Sequence, residues 1–469
     1  MSLTRVKKWV QVARKDDILQ HSSARGLLKP GVRRREFWAW ASLDFANSGY
    51  TTVVLTAVFN AYFVAFVMQD AAHATLVWTL VLSVSYLLVM VSAPWLGAWA
   101  DQYKAKRKLL WLASLACILA TALLASVGQG QWLWAALLLV ISNLAYASHQ
   151  DLAAGYLFEL APEDKLGRLS GYGWAWGYLG GLVSLVLALA WVQVLGIELS
   201  PAIAQVLGLA NPVTNQGLAT EWAVGGAMVL TALLFALVGL PALMVLKDHQ
   251  PAQPQAQWQG AWRRLVQGWT RLGEGQPLRQ LLVCIAVYQS GVATVITLAA
   301  IYAQQVMGFS MAQTIALVLV VNVTASIGAF LFGLLQDRLG HKRSLALSLV
   351  LWILMVLVAA FSTNETGFWL AANLAGLAMG ASQSGARAAV AALSEPNRQA
   401  ESFGYWGVAI NLASVCGPLC YGLTSWLSGN NHRLAIAFTG LFFLVGLILL
   451  LRIPFSQKAS QRLFQTPSE

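Results

Sequence analysis

The chain has 469 residues, of which 58% are hydrophobic and only 10% charged, with a formal net charge of +11. A soluble domain carries roughly 25% charged residues, so this composition excludes a water-soluble globular protein and points to a membrane-embedded one. A basic balance can also serve nucleic acid, but the placement of the charges argues for lipid headgroups instead.

The first 37 residues are a basic segment (Arg5, Lys7, Lys8, Arg14, Lys15, Arg25, Lys29, Arg33, Arg34, Arg35) with no apolar core and small-residue cleavage site of a signal peptide. It reads either as a solvated basic tail or as a short interfacial helix with Val6, Trp9, Val10 and Ala13 on its apolar face. Twelve apolar runs follow, at 38–68, 74–96, 109–127, 131–155, 170–195, 221–246, 277–306, 311–335, 344–363, 367–392, 403–427 and 432–453. Each is long enough to cross a hydrocarbon core of about 30 Å. Helices satisfy their backbone groups internally, and the period-two alternation of a barrel is missing, so an all-α membrane protein is expected.

With these spans, Arg433 is the only one of the 30 Lys and Arg on the side opposite the termini. The asymmetry places both termini in the cytoplasm and predicts a multi-pass protein, in a bacterial cell the inner membrane. The loop 196–220, with Pro201, Asn211 and Pro212, is the longest on the opposite side. Cys117, Cys284, Cys416 and Cys420 all fall within spans and read as packing residues.

A charged motif occurs twice. Gly97, Asp101, Lys106 and Arg107 follow the second span, and Gly333, Asp337, Arg338, Lys342 and Arg343 follow the eighth. A second pair of related segments turns through Pro162 and through Pro396. Two parallel six-span halves are therefore expected, at 38–246 and 277–453, joined by a cytoplasmic linker at 247–276 and followed by a tail at 454–469. Within the linker, Trp258, Trp262, Leu265 and Trp269 are spaced for an amphipathic helix on the membrane.

Twelve spans in two halves, each with Gly-x-x-x-Asp and a basic cluster after its second span, resemble the major facilitator superfamily. The first copy departs from the pattern: Lys104 stands where a Gly is usual, and Gln102 where a basic residue is usual. Trp40 to Tyr50, Ser170 to Gly181, and Gln383 to Arg387 with Pro396 and Phe403-Gly404 are similar to segments of the vacuole-effluxer-like family. Phe158 departs from that family, which tends to place a Pro before the acidic residue here represented by Glu159. The resemblance implies two six-helix bundles around a central cavity lined by the first, fourth, seventh and tenth helices. It also implies amino-acid export, as in the fungal members.

The duplicated motif reads as a gate: Gly97 and Gly333 allow close helix approach, and Asp101 and Asp337 can accept hydrogen bonds from neighbouring helix N-termini. Simple positive-inside anchoring is the other reading. Ionisable groups inside spans are costly and are candidates for function. Asp44 shares a stripe with Asn47, Ser48 and Thr51, while Asp151 follows His149 and Gln150. Arg387, on a face with Gln383, falls on Asp151 when the repeat offset is subtracted. Asp44, Asp151 and Arg387 read as a charged cavity floor that binds a zwitterion or couples to protons, or else as an interhelical salt bridge. His149 is either a proton relay or a hydrogen-bonded structural residue. Gln289, with Thr294, Thr297 and Tyr288, is a candidate neutral contact to substrate, and Asn322 and Asn411 are candidates for interhelical hydrogen bonds. Gly173, Gly177 and Gly181 form a small-residue ridge suited to close packing during alternating access.

No phosphate-binding loop, metal cluster or nucleophile–base set is apparent, so no cofactor and no enzymatic activity are expected. The expected function is a monomeric secondary transporter of a small solute, amino-acid-like and exported, with protons as a candidate coupling ion and the lipid bilayer as its only other partner. Proton-coupled efflux of amphipathic compounds and lipid flipping or scrambling are the alternatives.

Overall fold

A computed structural model describes residues 26–68, 71–192, 216–249, 270, 276–429 and 431–455. Lys29 and Arg33 to Arg35 are included, whereas the other basic residues of the N-terminal segment lie outside the described residues, as does the proposed interfacial helix there. So do Pro201, Asn211 and Pro212, the linker tryptophans 258, 262 and 269 with Leu265, and most of the tail.

Among the described residues the chain forms twelve long helical units: α1 (Arg34–Val67), α2 (Ala71–Gln102), α3 (Lys106–Leu123), α4 (Trp132–Ala154), α5 (Leu166–Ala190), α6 (Gln216–Val245), α7 (Pro277–Gln305), α8 (Met311–Leu339), α9 (His341–Phe361), α10 (Glu365–Leu393), α11 (Gln399–Leu427) and α12 (His432–Arg452). Eleven of them are long and apolar enough to cross a membrane; α10 is the exception. Most of α10 is buried against protein, so its Ala- and Gly-rich surface meets little lipid and its mean hydropathy falls.

Local chemistry sets several of the ends. Ser310 and Gln313 cap α8 reciprocally, Asn364 Oδ1 accepts from Gly367 N at 2.8 Å, and Asn431 Oδ1 accepts from Leu434 N at 3.0 Å. Pro277 opens α7 at a position where its missing N–H costs nothing. The charged motifs are more helical than a turn: α2 runs through Asp101 to Gln102 and α8 through Asp337 to Leu339. Hydropathy misses these ends because they extend past the apolar window. The reversals are Lys104, at φ 49°, and Gly340, at φ 85°. The family's glycine position thus has the left-handed backbone in both copies, and the lysine of the first adopts it against its steric preference.

Helix α1 is not regular. Tyr50–Ala57 and Phe63–Val67 are wound as wider π turns, with Val58 N–H bonded back to Val53 O. Helices α1–α6 pack chiefly among themselves, as do α7–α12, and the two groups meet along α2–α11, α5–α8, α5–α10 and α4–α11.

Candidate functional site

The seam between the halves is tightest at the end carrying the duplicated motif. Asp101 accepts hydrogen bonds from Ala400 N at 3.2 Å and Glu401 N at 2.9 Å, the first turn of α11. Asp337 accepts from Arg168 N at 3.1 Å in the first turn of α5, and its other oxygen lies 3.5 Å from the Arg168 guanidinium. Each carboxylate therefore meets the positive end of a helix in the other half. A Cβ at Gly97 would lie 2.2 Å from Ala400 O, and one at Gly333 would lie 2.9 Å from both Gly167 O and Gly171 Cα. Gly97 and Gly333 are thus the points where the helix backbones touch.

The basic residues of the motif are divided in their roles. Lys106 is buried and donates to Glu159 at 2.5 Å, and Arg107 donates to Leu243 O and Met244 O at the C-terminus of α6. In the second half, Lys342 donates to Leu451 O at 2.7 Å and Ile453 O at 2.8 Å, at the end of α12. Arg107 and Lys342 thus satisfy orphan carbonyls at the last helix of each half, a stabilising placement for a cation. Arg338 and Arg343 are exposed.

Deeper in the bundle, Arg387 of α10 reaches across the seam. Its Nη1 donates to Asp44 Oδ2 at 2.6 Å, its Nε to Ser170 Oγ at 3.1 Å, and its Nη2 to Ser170 O at 3.0 Å. The indoles of Trp40 and Trp174 flank the guanidinium, with centroids 4.7 and 5.4 Å away. Both charges are buried. Gln383, one turn earlier on α10, accepts from the Tyr178 hydroxyl of α5, a second polar bridge between the halves.

The three charges do not form one floor. Asp151 is buried on α4 against α11, and its Oδ2 has no hydrogen-bond partner among the described residues. Asp44 and Arg387 satisfy each other and leave it alone. The α1 stripe also divides: Asp44 serves Arg387, Asn47 Nδ2 lies 3.1 Å from His149 Nδ1, and Ser48 and Thr51 bond back to the carbonyls of Asp44 and Ser48. Side chains three and four residues apart share a face but still diverge by tens of degrees, enough to meet α10, α4 and α5 separately. His149 is fully buried between Asn47 and the Phe235 ring.

Gly177 and Gly181 face α1, at Ser48 and at Thr52, while Gly173 faces both Asp44 of α1 and Arg387 of α10. The ridge thus packs within the first half except at Gly173, which lies on the seam. Other close contacts between halves fall at Gly97, Gly167, Gly171, Gly333, Gly404 and Gly407. Gln289 and Thr294 are buried on α7, and Gln150 is half-buried on α4. Asn322 and Asn411 bond to carbonyls four residues back in their own helices, Val318 and Gly407, rather than across helices.

Sequence reasoning also missed a polar cluster at the charged end. His249 Nε2 lies 2.6 Å from Glu36 Oε2, while His249 N donates to Glu159 Oε2 at 2.8 Å. Tyr156 donates to Asp248. Lys29 donates to Phe158 O at 2.5 Å and lies over the Phe158 ring, the position where the family tends to place Pro. Partial burial there lowers the Lys29 ammonium from its ordinary range, against the raising effect of Glu163 and Glu159. These partners are far apart in sequence, and none belongs to a repeated pattern.

The comparisons with known proteins agree on the fold. An uncharacterised MFS-type transporter of Bacillus subtilis, YxiO, is 24% identical over 422 residues, covering 89% of this chain and 94% of that protein. The human organic anion transporter MFSD10 superposes with a TM-score of 0.67 at 16% identity, over 90% of this chain and 100% of that one. The major facilitator transporter FucP, in its outward conformation, superposes with a TM-score of 0.69 at 16% identity over the same shares. Residues 32–462 match the family described as "Vacuole effluxer Atg22 like". The chain belongs to that family, within the major facilitator superfamily of multi-pass membrane transporters.

Proposed function

We propose that the chain is a proton-coupled secondary transporter with twelve membrane spans and cytoplasmic termini, its cytoplasmic end closed and its central site facing outward. The observation that carries this reading is the reciprocal capping by Asp101 and Asp337, each binding the other half's helix N-terminus. Opening that end to the cytoplasm must break both sets of bonds, so they act as a latch for alternating access. All Lys and Arg of the described spans' ends except Arg433 lie on the latch side of the chain, which supports its cytoplasmic assignment.

In this reading Arg387 and Asp44 are an ion pair joining α10 to α1 across the seam, and Asp151 is the proton-carrying group. A partnerless carboxylate in a low-dielectric interior is costly to keep charged, and a proton removes that cost. Because Arg387 already donates to Asp44 and Ser170, a zwitterionic solute that engages it competes with Asp44. The match to a family described as a vacuole effluxer supports export of a small, amino-acid-like solute, and the aromatic residues around Arg387 suit an amphipathic one.

Transport of radiolabelled amino acids in proteoliposomes, with and without a pH gradient, tests the reading. Asp151→Asn is expected to abolish gradient-driven accumulation while leaving counterflow exchange. Undiminished gradient-driven transport in Asp44→Asn, Asp151→Asn and Arg387→Gln alike would sink it.

A further inference from the structure

A groove of about 830 Å³ runs along the outside of the α5–α8 seam at the charged end. Its walls come from both halves: Phe37 and Trp38 of α1, Tyr172 and Trp176 of α5, and Ile327 and Phe330 of α8. Trp38, Ile327 and Phe330 are exposed, as expected of side chains facing acyl chains. Along the seam, Tyr172 and Phe330 stack with centroids 5.3 Å apart and planes 15° from parallel, one ring from each half. Ser326 donates to Ala175 O at 2.9 Å in the same crossing, so the groove lies directly on the contact that must part when the latch opens.

The mouth is formed by Gly26, Leu27, Leu28, Val32 and Arg34. This stretch is held in place by Lys29 N donating to Leu160 O at 2.9 Å and by Lys29 Nζ on Phe158 O. Arg33, Arg34 and Arg35 are exposed there, beside the N-terminus of α1. Glu36, the one acid in that first turn, is buried and turned to His249. Among the described residues no carboxylate lines the groove.

We propose that the groove seats an acyl chain of an anionic phospholipid, with the lipid phosphate at Arg34, and that this lipid clamps α5 against α8 in the latched state. An apolar channel open to the hydrocarbon with cationic groups at the headgroup level matches the two parts of such a lipid. A zwitterionic lipid offers the same chain but forfeits the net charge attraction. Because the lipid contacts both halves only while the seam is closed, it shifts the conformational equilibrium toward closure.

Native mass spectrometry of the full chain, titrated with phosphatidylglycerol or phosphatidylcholine of the same chain length, tests this. Phosphatidylglycerol is expected to bind about five-fold more tightly, from a single basic residue at headgroup level. Arg34→Gln should reduce its affinity to that of phosphatidylcholine. Ile327→Trp, which fills the groove from an exposed position, should weaken both lipids and leave the thermal midpoint unchanged. Lys108→Gln, an exposed charge on α3 away from the groove, should change neither. Equal binding of the two lipids by the unmodified chain overturns the proposal, as does indifference to both groove variants. A loss in Lys108→Gln equal to that in Arg34→Gln also overturns it, since the attraction would then be general charge.

Discussion

Arg387 and Asp151 occupy comparable places in the two halves, yet their surroundings differ. Arg387 on α10 faces Gly173 of α5, and Asp151 on α4 faces Gly407 of α11. In each case a fourth or tenth helix presents a charge to a glycine on the fifth or eleventh helix of the other half. Arg387 meets a carboxylate, a serine and two indoles. Asp151 has an oxygen with no partner among the described residues. The latch, by contrast, is nearly symmetric, since Asp101 and Asp337 perform the same capping. The motif ends of the two halves thus make like contacts, while the buried centres differ. A structure in which one charge is satisfied and its counterpart is not can hold the halves together on one side and take up a proton on the other.

The largest effect is expected from breaking the satisfied side. Arg387→Gln leaves Asp44 buried without its cation, and removing one partner of a buried pair typically costs about 3–5 kcal/mol. A fall in thermal midpoint by many degrees, largely recovered in Asp44→Asn with Arg387→Gln, is the expected result. Asp151→Asn should leave the midpoint within a degree or two, because it replaces a neutral, protonated carboxyl group with a neutral amide of the same shape. Equal losses in the two single variants would erase the comparison.

Next come the seam glycines. Gly97→Val places atoms where Ala400 O already lies, 2.2 Å from the position of a Cβ, so α2 and α11 must separate. A cysteine at Gln399, fully buried in the latched state, should then react with a membrane-impermeant thiol reagent at least ten-fold faster in a background lacking the native cysteines. Asp337→Asn acts on the same equilibrium more mildly. It weakens a charge–helix-terminus interaction worth about 1 kcal/mol, and the same labelling should rise about five-fold. The smallest effect is Lys104→Gly. It relieves a left-handed lysine, a conformation costing about 1–2 kcal/mol, partly offset by the greater chain entropy of glycine. The expected gain in thermal midpoint is about one degree.

The helical fold and the capping contacts of the charged motif were legible in the sequence because both are repeated, and a repeat reports equivalence without knowledge of distance. Gly97 with Asp101 and Gly333 with Asp337 share one spacing, and their positions at span ends follow from hydropathy. The apolar run 367–392 marks helix α10 correctly as a helix, although its mean hydropathy falls short of the other eleven. What could not be read was which polar groups meet. Asp44 and Arg387 are separated by 343 residues, and nothing local distinguishes an arginine paired to a carboxylate from one that awaits a ligand. The wide turns of α1 beginning at Tyr50 likewise leave no signal in a pattern drawn at regular helical spacing. Glu36, His249 and Glu159 come from three separate segments, so their cluster exists only once the chain has folded.

Infrared difference spectroscopy of the reconstituted protein across a pH step tests the asymmetry most directly, and it needs no knowledge of the solute. A protonated buried carboxyl group at Asp151 should give a carbonyl band that Asp44→Asn retains and Asp151→Asn removes. A band that survives in Asp151→Asn, or that vanishes only in Asp44→Asn, would contradict the assignment of the proton to the unpartnered side.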